Sequence, residues 1–232
     1  MKPLISVIVV TYHRVEALKR TLESLRRHVD VDDYELIVCD DGSPLAQRRQ
    51  IRGLDVDRIV WNDRVGYGAN VNSGLRAARG EFVFHLEDDW VVKRPGHFLR
   101  AGVEVLNTLP EVGCLKFDDN TPALRARRRV GGYTVEVLAF PNHARAEEYR
   151  YTNRPHLKHA RFHQCYGMYA EGHCALETER LFAMHVNAVR ASRVGWMHDS
   201  AHFRHIGDEY QSYSILGPKQ TPAALLEPWR LS

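Results

Sequence analysis

The chain has 232 residues, 44% of them hydrophobic and 26% charged, which is the profile of an ordinary globular domain. Lys and Arg total 32 against 29 Asp and Glu, and a formal charge of +3 is too small to indicate a nucleic-acid partner. No apolar segment is long enough to span a membrane, and the short apolar run at the N-terminus leads into a predicted strand, which argues against a signal peptide. Four cysteines without CxxC spacing indicate reduced thiols and a cytoplasmic location, not a disulfide framework.

Strands and helices alternate through the first half of the chain. Residues Leu4 to Tyr12 are almost continuously apolar, which is typical of a parallel strand covered on both faces. Apolar side chains then recur at three- and four-residue spacing from Val15 to Val29, which predicts a helix, and a second helix is predicted from Ala69 to Ala78. Three more strands are predicted in "YELIVCDDGS", "DRIVWND" and "EFVFHL". This alternation predicts an α/β fold with a mainly parallel sheet flanked by helices.

The second half of the chain is less regular. A third helix is predicted with Pro95 near its first turn and Pro110 at its end, followed by a strand in "EVGCLKF". Residues 118–163 are polar, which predicts a loop-rich segment with a hairpin around Gly131 and Gly132. The remaining predictions are a short strand passing into a helix in "CALETERLFAMH", a helix that starts near Asp208, and an extended tail over the last dozen residues.

Acidic residues directly follow two of the predicted strands. The fourth strand ends abruptly on Glu87, Asp88 and Asp89, and the second ends on Asp40 and Asp41. Because the carboxyl ends of parallel strands meet at one edge, where open α/β sheets bind ligands, these carboxylates are expected to cluster. Glu87 and Asp89 point to the same side of an extended chain, so they could hold Mg²⁺ or Mn²⁺ together with a diphosphate. The alternatives are an ordinary polar strand end and, at Asp40 and Asp41, a turn in which Asp caps the next segment.

Four stretches of the chain resemble glycosyltransferase family 2 enzymes of the GT-A fold. They are "SVIVVTYHR", "LIVCDDGS", "GYGANVNSGLRAARGEFVFHLEDDW" and "FRHIGDEY", in the order in which that family has them. The resemblance implies one Rossmann-like GT-A domain over residues 1–232, with a nucleotide-binding half at 1–117 and a loop-rich acceptor-side half at 118–232. It also implies an inverting transferase that uses a nucleotide-diphosphate sugar, most often a UDP-sugar, with Mn²⁺ or Mg²⁺. The acceptor would be a sugar, a lipid-linked molecule or a small molecule.

The resemblance also implies roles for single residues. Asp41 would accept a hydrogen bond from uracil, and Asp88 would touch the ribose or the sugar. Asp208 would be the general base, with the adjacent Glu209 as the alternative. This set suits the reaction, since a divalent cation stabilises the leaving diphosphate while a carboxylate removes the proton of the acceptor hydroxyl. The expected nucleotide contacts are Thr11, Tyr12, Arg14, Asp41 and Asp88, and the expected metal ligands are Asp89 and Glu87, which replaces the family's usual first Asp.

Several alternatives stay open at the level of sequence. A binding protein that keeps this fold without turnover would carry the same motifs. A nucleotidyltransferase fits less well, since it usually has a Gly-rich basic loop where this chain has "TYHRVEALKR". Asp208 could also be an acid favoured at a helix N-terminus. Two basic patterns are left over: His198, His202 and His205, which would share one face of a helix and could supply a further metal ligand, and Arg125, Arg127, Arg128 and Arg129, typical of a solvated loop or of contact with an anion.

Overall fold

The computed structural model describes residues 2–118, 125–140, 151–197 and 202–210. In that part of the chain the elements are, in order, β1 (Ile5–Thr11), α1 (Val15–His28), β2 (Tyr34–Asp41), α2 (Leu45–Arg52), β3 (Arg58–Asn62), α3 (Tyr67–Ala77), β4 (Phe82–Glu87), β5 (Trp90–Arg94), α4 (Leu99–Thr108), β6 (Val112–Lys116), β7 (Arg125–Val130), β8 (Tyr133–Leu138), β9 (His156–His159), α5 (Phe162–Tyr166), α6 (Ala175–Val189), β10 (Arg193–Met197), β11 (His202–His205) and a 3₁₀ turn at Gly207–Glu209.

A nine-stranded sheet forms the centre of the described structure, in the order β3-β2-β1-β4-β9-β6-β10-β8-β7. The pairings make β8 and β9 run against the other seven strands. The predicted α/β fold with a mostly parallel central sheet is therefore confirmed. Strands β5 and β11 pair separately as an antiparallel ribbon.

Strand β1 lies in the middle of the core and is buried along its whole length. Val7 and Val9 belong to one apolar cluster with side chains of α1 and α4, whereas Ile8 and Val10 belong to a second cluster with side chains of α3 and α6. Successive side chains of a strand point to opposite faces, so a strand covered by helices on both sides is apolar at most positions. This is why β1 can be recognised from its composition alone.

Helix α3 packs so closely on the sheet that Gly74 has no room for a side chain. A Cβ atom at this position would lie 2.7 Å from both the Ile8 Cγ2 and the Cys39 Sγ atoms. Gly74→Ala should therefore lower the free energy of unfolding by about 1–2 kcal/mol, since overpacking outweighs the better helix propensity of alanine. Urea denaturation measures this loss. Gly132→Ala is the matched control, because nothing lies within 4 Å of its Cβ position, and an equal loss in both variants would contradict the close-packing argument.

Some elements of the first half differ from those predicted. The sequence pattern does not predict α2, because only Ile51 of its eight residues is buried, nor does it predict β5, which pairs with β11 far along the chain. The third predicted helix starts at Leu99 and not near Pro95. The carboxylate of Asp30 fixes that start, since its Oδ1 atom accepts hydrogen bonds from the amides of Leu99 and Arg100 at 3.1 and 3.4 Å.

The segment 118–163 contributes more to the sheet than its polar sequence predicts. The hairpin at Gly131 and Gly132 is confirmed and joins β7 to β8. Strand β9, however, inserts between β4 and β6 near the middle of the sheet. Its sequence "HLKH" gives no sign of burial, yet His156 and Lys158 are fully buried along with Leu157. Hydrophobic periodicity does not predict this strand, because two of its buried side chains are polar.

The end of the described chain also departs from prediction. Residues 167–174 carry no strand before α6, and the helix predicted near Asp208 is a single 3₁₀ turn. Residues 202–205 form β11 and not a helix, so the condition under which His202 and His205 would share one face is not met. His198 and the predicted tail lie outside the described residues. All four cysteines are described and free, and no described helix combines the length and the apolar character needed to cross a bilayer.

Candidate active site

Arg14 pairs with two acids of the cluster at the carboxyl edge of the sheet. It lies in the turn between β1 and α1, and its Nη2 and Nη1 atoms lie 2.5 Å from Asp88 Oδ1 and 2.6 Å from Asp89 Oδ2. Burial acts to lower the pKa of Arg14, but the charges of Asp88 and Asp89 outweigh it and the pKa is raised. Two adjacent acids can therefore be held together without a metal ion, because a guanidinium group of the chain itself lies between them.

Asp88 has no exposed surface. Its Oδ2 atom accepts a hydrogen bond from the Thr11 hydroxyl at 2.7 Å, and its backbone carbonyl accepts one from the Thr21 hydroxyl at 2.8 Å. Burial raises the pKa of Asp88 to about 7, although Arg14 opposes this. Asp88 thus orients the side chains of Thr11 and Arg14. Its contact with a ribose stays a prediction, and because Asp88 is fully buried this contact requires a neighbouring side chain to move.

Asp89 lies between Arg14 and the end of β11. Its Oδ2 atom is 3.2 Å from His205 Nε2, and its backbone carbonyl accepts a hydrogen bond from the Ile206 amide at 2.7 Å. Burial acts to raise the pKa of Asp89, but the hydrogen bond with His205 and the charge of Arg14 lower it overall. The Oδ1 atom of Asp89 is buried and has no hydrogen-bond partner among the described residues. An unpartnered carboxylate oxygen beside an imidazole is chemically suited to a cation.

Glu87 faces a cleft of about 660 Å³. Its Oε1 atom accepts a hydrogen bond from the Tyr67 hydroxyl at 3.0 Å, and its Oε2 atom accepts one from Trp90 Nε1 at 3.3 Å. Burial, together with the charge of Asp89, raises the pKa of Glu87 to about 8. Glu87 and Asp89 are thus close enough to interact, as the sequence predicts. The cleft is lined by Glu87, Trp90, Lys93, Asp118, Arg154, Glu179, Phe203, Arg204 and His205.

A network of buried polar side chains contacts Glu87 through Tyr67. The Tyr67 hydroxyl, which donates to Glu87, lies 3.3 Å from His85 Nε2. The ring of His85 stacks on that of His156 with centroids 5.0 Å apart, and His156 Nε2 in turn lies 3.1 Å from the Tyr151 hydroxyl. Burial lowers the pKa of both histidines well below the usual value, so both rings are neutral. Sequence reasoning misses this network, since its members come from three separate segments of the chain.

Asp40 and Asp41 hold the loops that follow β2 and β3. The carboxylate of Asp40 accepts hydrogen bonds from the Ser43 amide and Arg48 Nε at 3.1 and 3.0 Å, which favours the turn interpretation for this residue. Asp41 is 4% exposed, and its Oδ1 and Oδ2 atoms accept hydrogen bonds from the amides of Val65 and Gly66 at 2.8 and 3.2 Å. Burial raises the pKa of Asp41. Contact of Asp41 with a nucleobase stays a prediction.

Arg64 covers the aromatic ring of Tyr12. Its guanidinium carbon lies 3.7 Å from the ring centroid, and its Nη1 atom lies 3.6 Å from Asp41 Oδ2. The Arg64 backbone has a φ of +56°, and a Cβ atom at Gly42 would lie 2.7 Å from its amide nitrogen, so the two loops pack tightly. The sequence singles out Tyr12 but not Arg64, because a lone arginine in a loop has no distinguishing pattern.

The two acids predicted as the base lie on the exposed side of the 3₁₀ turn, and neither lines the cleft. Glu209 is engaged by Arg20 at 2.6 Å and by Arg204 at 2.9 Å. The charge of Asp208 contributes to raising the pKa of His205, which places Asp208 near the Asp89 end of the site. Glu179 of α6 lines the cleft and accepts a hydrogen bond from the Asn153 amide at 2.8 Å. Sequence analysis does not single out Glu179, because it lies on an ordinary amphipathic helix.

A family profile described as Glycosyl transferase family 2 matches residues 6–170, well over half of the chain. The chain belongs to glycosyltransferase family 2. Curated relatives of this family member include GalNAc(5)-diNAcBac-PP-undecaprenol beta-1,3-glucosyltransferase of Campylobacter jejuni, 39% identical over 38% of this chain and 30% of the relative. Another is validoxylamine A glucosyltransferase of Streptomyces hygroscopicus, 35% identical over 37% of this chain and 22% of the relative. The chain thus spans less than a third of the length of these relatives.

Solved structures share the fold of this glycosyltransferase at low sequence identity. TarS 1–349 of S. aureus in complex with UDP-GlcNAc has a TM-score of 0.62 and 20% identity, with 91% of this chain and 62% of that chain covered. The mannosyltransferase PcManGT of Pyrobaculum calidifontis, in complex with GDP-Man and Mn²⁺, has a TM-score of 0.58 and 18% identity, with 84% and 54% covered. These likenesses confirm the predicted GT-A fold.

The residues predicted to bind a divalent ion meet some of the requirements of a metal site. No cluster of three or more His, Cys, Asp or Glu side chains in the described residues has metal-binding geometry. Asp89 and His205 nevertheless form an adjacent oxygen and nitrogen pair, with Glu87 next to Asp89, and the Oδ1 atom of Asp89 lacks a partner among the described residues. One or two carboxylates completed by substrate phosphates is a usual arrangement for Mg²⁺. The predicted ligands therefore suit an ion that binds together with a diphosphate.

Proposed function

We propose that the chain transfers a sugar from a nucleotide-diphosphate donor, a UDP-sugar, to an acceptor hydroxyl with inversion at the anomeric carbon. The observation that carries the proposal is Asp89, whose buried Oδ1 atom lacks a partner among the described residues at the carboxyl edge of the sheet. Asp89 is held by Arg14 and by His205, next to the cleft. Family membership and the UDP-GlcNAc bound by TarS support the donor class.

The divalent ion, Mn²⁺ or Mg²⁺, would be held by Asp89, Glu87 and His205. When bound, it supplies Lewis-acid stabilisation of the leaving diphosphate. The Mn²⁺ in the complex of PcManGT with GDP-Man supports this part of the proposal. Arg14 fixes the orientation of the Asp89 carboxylate, and Tyr67 and Trp90 fix that of Glu87. Such preorganisation reduces the reorganisation needed when the donor binds.

The donor nucleotide would lie along the loops after β1 and β2. The nucleobase would stack on the outer side of the Tyr12–Arg64 pair, because a planar guanidinium and an aromatic ring both stack on bases. The acceptor would occupy the cleft, where aromatic Trp90 and Phe203 alternate with charged side chains. Asp208 would remove the acceptor proton on the face opposite the leaving group, as inversion requires. The acceptor class is a sugar, a lipid-linked molecule or a small molecule, in keeping with the two named relatives.

Binding of UDP provides the test of this proposal. UDP with Mn²⁺ should raise the melting temperature by several degrees, since a ligand at about 100 times its Kd stabilises a protein by roughly 2.7 kcal/mol, and chelator should remove most of the shift. Asp41→Ala should weaken the effect of UDP without removing its dependence on Mn²⁺. Differential scanning fluorimetry measures both. A shift of equal size with chelator would contradict the shared site of metal and diphosphate.

A second candidate function is non-catalytic binding of a nucleotide sugar. The observation in its favour is Arg14, whose guanidinium group already pairs with both Asp88 and Asp89. Incubation with a panel of UDP-sugars separates the two functions. Transfer or slow hydrolysis supports the enzyme, whereas tight binding of UDP with neither reaction supports the binding protein.

A further inference from the structure

Strand β7 is the last strand of the nine-stranded sheet, and among the described residues it has a neighbouring strand on one side only. Four of its six residues are arginines. The β7–β8 hairpin, residues 125–138, contains a single acidic residue, Glu136, so four arginines against one glutamate leave an excess of three positive charges. The hairpin therefore carries a local excess of positive charge at one edge of the described sheet.

The described guanidinium groups of this edge face water. Residues 126–129 are all exposed, and the side chain of Arg127 is 74% exposed. Arg127 Nε lies 3.2 Å from Glu136 Oε1. Arg128 donates to the backbone carbonyl of Arg127 at 3.2 Å, and Arg129 to the Thr134 hydroxyl at 3.5 Å. Neither Arg128 nor Arg129 forms an ion pair with a described carboxylate, so their charges are available to an external anion.

The arrangement exceeds what protection of a sheet edge requires. A single charged side chain is a common means of preventing edge-to-edge pairing, whereas β7 has arginines at three consecutive positions, 127–129. Because side chains alternate along a strand, Arg127 and Arg129 flank one face of the edge and Arg128 flanks the other. The result is a strand edge with cations on both of its faces. Strand β7 also carries no aromatic side chain on which a nucleic-acid base could stack.

We propose that β7 is a docking edge for the anionic phospholipid surface of a membrane. Arginine pairs with phosphate through two parallel hydrogen bonds, and an exposed strand edge with guanidinium groups on both faces can present them to an array of headgroup phosphates. The proposal goes beyond the transferase function, since transfer to a water-soluble acceptor needs no such surface. It requires only that the folded chain be present, so it can be tested whether or not a donor substrate has been found.

The position of β7 gives this docking edge a geometric relation to the cleft. Strand β7 runs in the same direction as β10 and β6, so Arg129 lies near the carboxyl edge of the sheet, where the candidate active site is found. Three strand spacings, about 14 Å, separate β7 from β6. Strand β6 leads to Asp118, which lines the cleft. A bilayer in contact with β7 would lie beside the cleft, within reach of the polar part of a lipid-linked molecule.

Co-sedimentation with lipid vesicles tests the proposal on the full chain. The parent should bind vesicles of phosphatidylcholine with added phosphatidylglycerol at low salt, bind phosphatidylcholine alone much less, and be released at high salt. The double variant Arg128→Gln and Arg129→Gln should reduce partitioning of the protein onto the vesicles roughly 30-fold. Each basic residue near an anionic surface contributes about 1 kcal/mol to binding, and the variant removes two. The matched control is Arg49→Gln with Arg52→Gln, two exposed arginines of α2 near the opposite edge of the sheet.

Three results would overturn the membrane proposal. One is parent-like vesicle binding by the β7 double variant with an unchanged melting temperature. Another is an equal loss in the α2 control, which would show a response to net charge alone. The third is binding of duplex DNA or RNA at the same salt that exceeds vesicle binding, which would identify the edge as a nucleic-acid surface. A loss confined to the β7 variant, with its fold intact, supports the docking edge.

Discussion

Asp89→Asn should lower the turnover of sugar transfer by roughly 10³-fold and weaken Mn²⁺ binding in the presence of UDP. The amide keeps the shape of the side chain but removes its negative charge, which Arg14 and His205 share, and replaces one of the two oxygens with an NH2 group that cannot bind a cation. Arg14 retains Asp88 as a partner, so the fold should survive. Steady-state kinetics and Mn²⁺ titration by electron paramagnetic resonance measure the two effects.

Asp63→Asn is the matched control for Asp89. Its carboxylate lies near the same edge of the sheet, just after β3, but its side chain is 91% exposed and contacts only Arg48 among the described ion pairs. This variant should bind Mn²⁺ and turn over like the parent. If Asp89→Asn does the same, the acidic motif is a strand end held by Arg14, and the metal-dependent part of the proposal is wrong.

Asp208→Asn should keep the affinity for the UDP-sugar and reduce turnover by roughly two to four orders of magnitude, because a base that deprotonates the acceptor is not needed for donor binding. Glu209→Gln should be the milder change, since Arg20 and Arg204 already hold this carboxylate on the surface. Isothermal titration with UDP and initial-rate kinetics separate binding from chemistry.

Glu179→Gln is the informative comparison for Asp208. Glu179 lines the cleft, which Asp208 does not. If Glu179→Gln loses turnover at unchanged donor affinity while Asp208→Asn stays active, the base lies on α6 and the prediction from the sequence is wrong. If Glu209→Gln is the inactive variant, the base lies one residue further along the chain than predicted.

The sequence predicts best those elements of the fold whose buried side chains are apolar. Strand β1 is buried on both faces by helices, so its nearly unbroken run of Val and Ile is sufficient to identify it. The same reasoning failed at β9, because Lys158 and His156 are buried among aromatic and histidine side chains that no local pattern reveals. Helix α2 was missed for the opposite reason, since it buries a single side chain.

The candidate site shows a similar division. The sequence placed Glu87, Asp88 and Asp89 at a strand end, and the structure puts them at the carboxyl edge of the sheet as expected. It could not show that Arg14 lies between two of these acids, since a contact between residues 75 positions apart has no local signature. His205 stands out in the sequence as one of three closely spaced histidines. Its ring lies beside Asp89, although residues 202–205 form a strand and not a helix.

The insertion of β9 between β4 and β6 also bears on how the chain folds. Strands β4 and β6 are made early in the chain, but the strand that joins them comes 40 residues after β6, so two facing edges stay unpaired until that segment arrives. Residues 1–117 by themselves would therefore leave a gap in the sheet that another copy could fill. The two halves are bound into one cooperative unit, in which neither is expected to reach its native arrangement before the other.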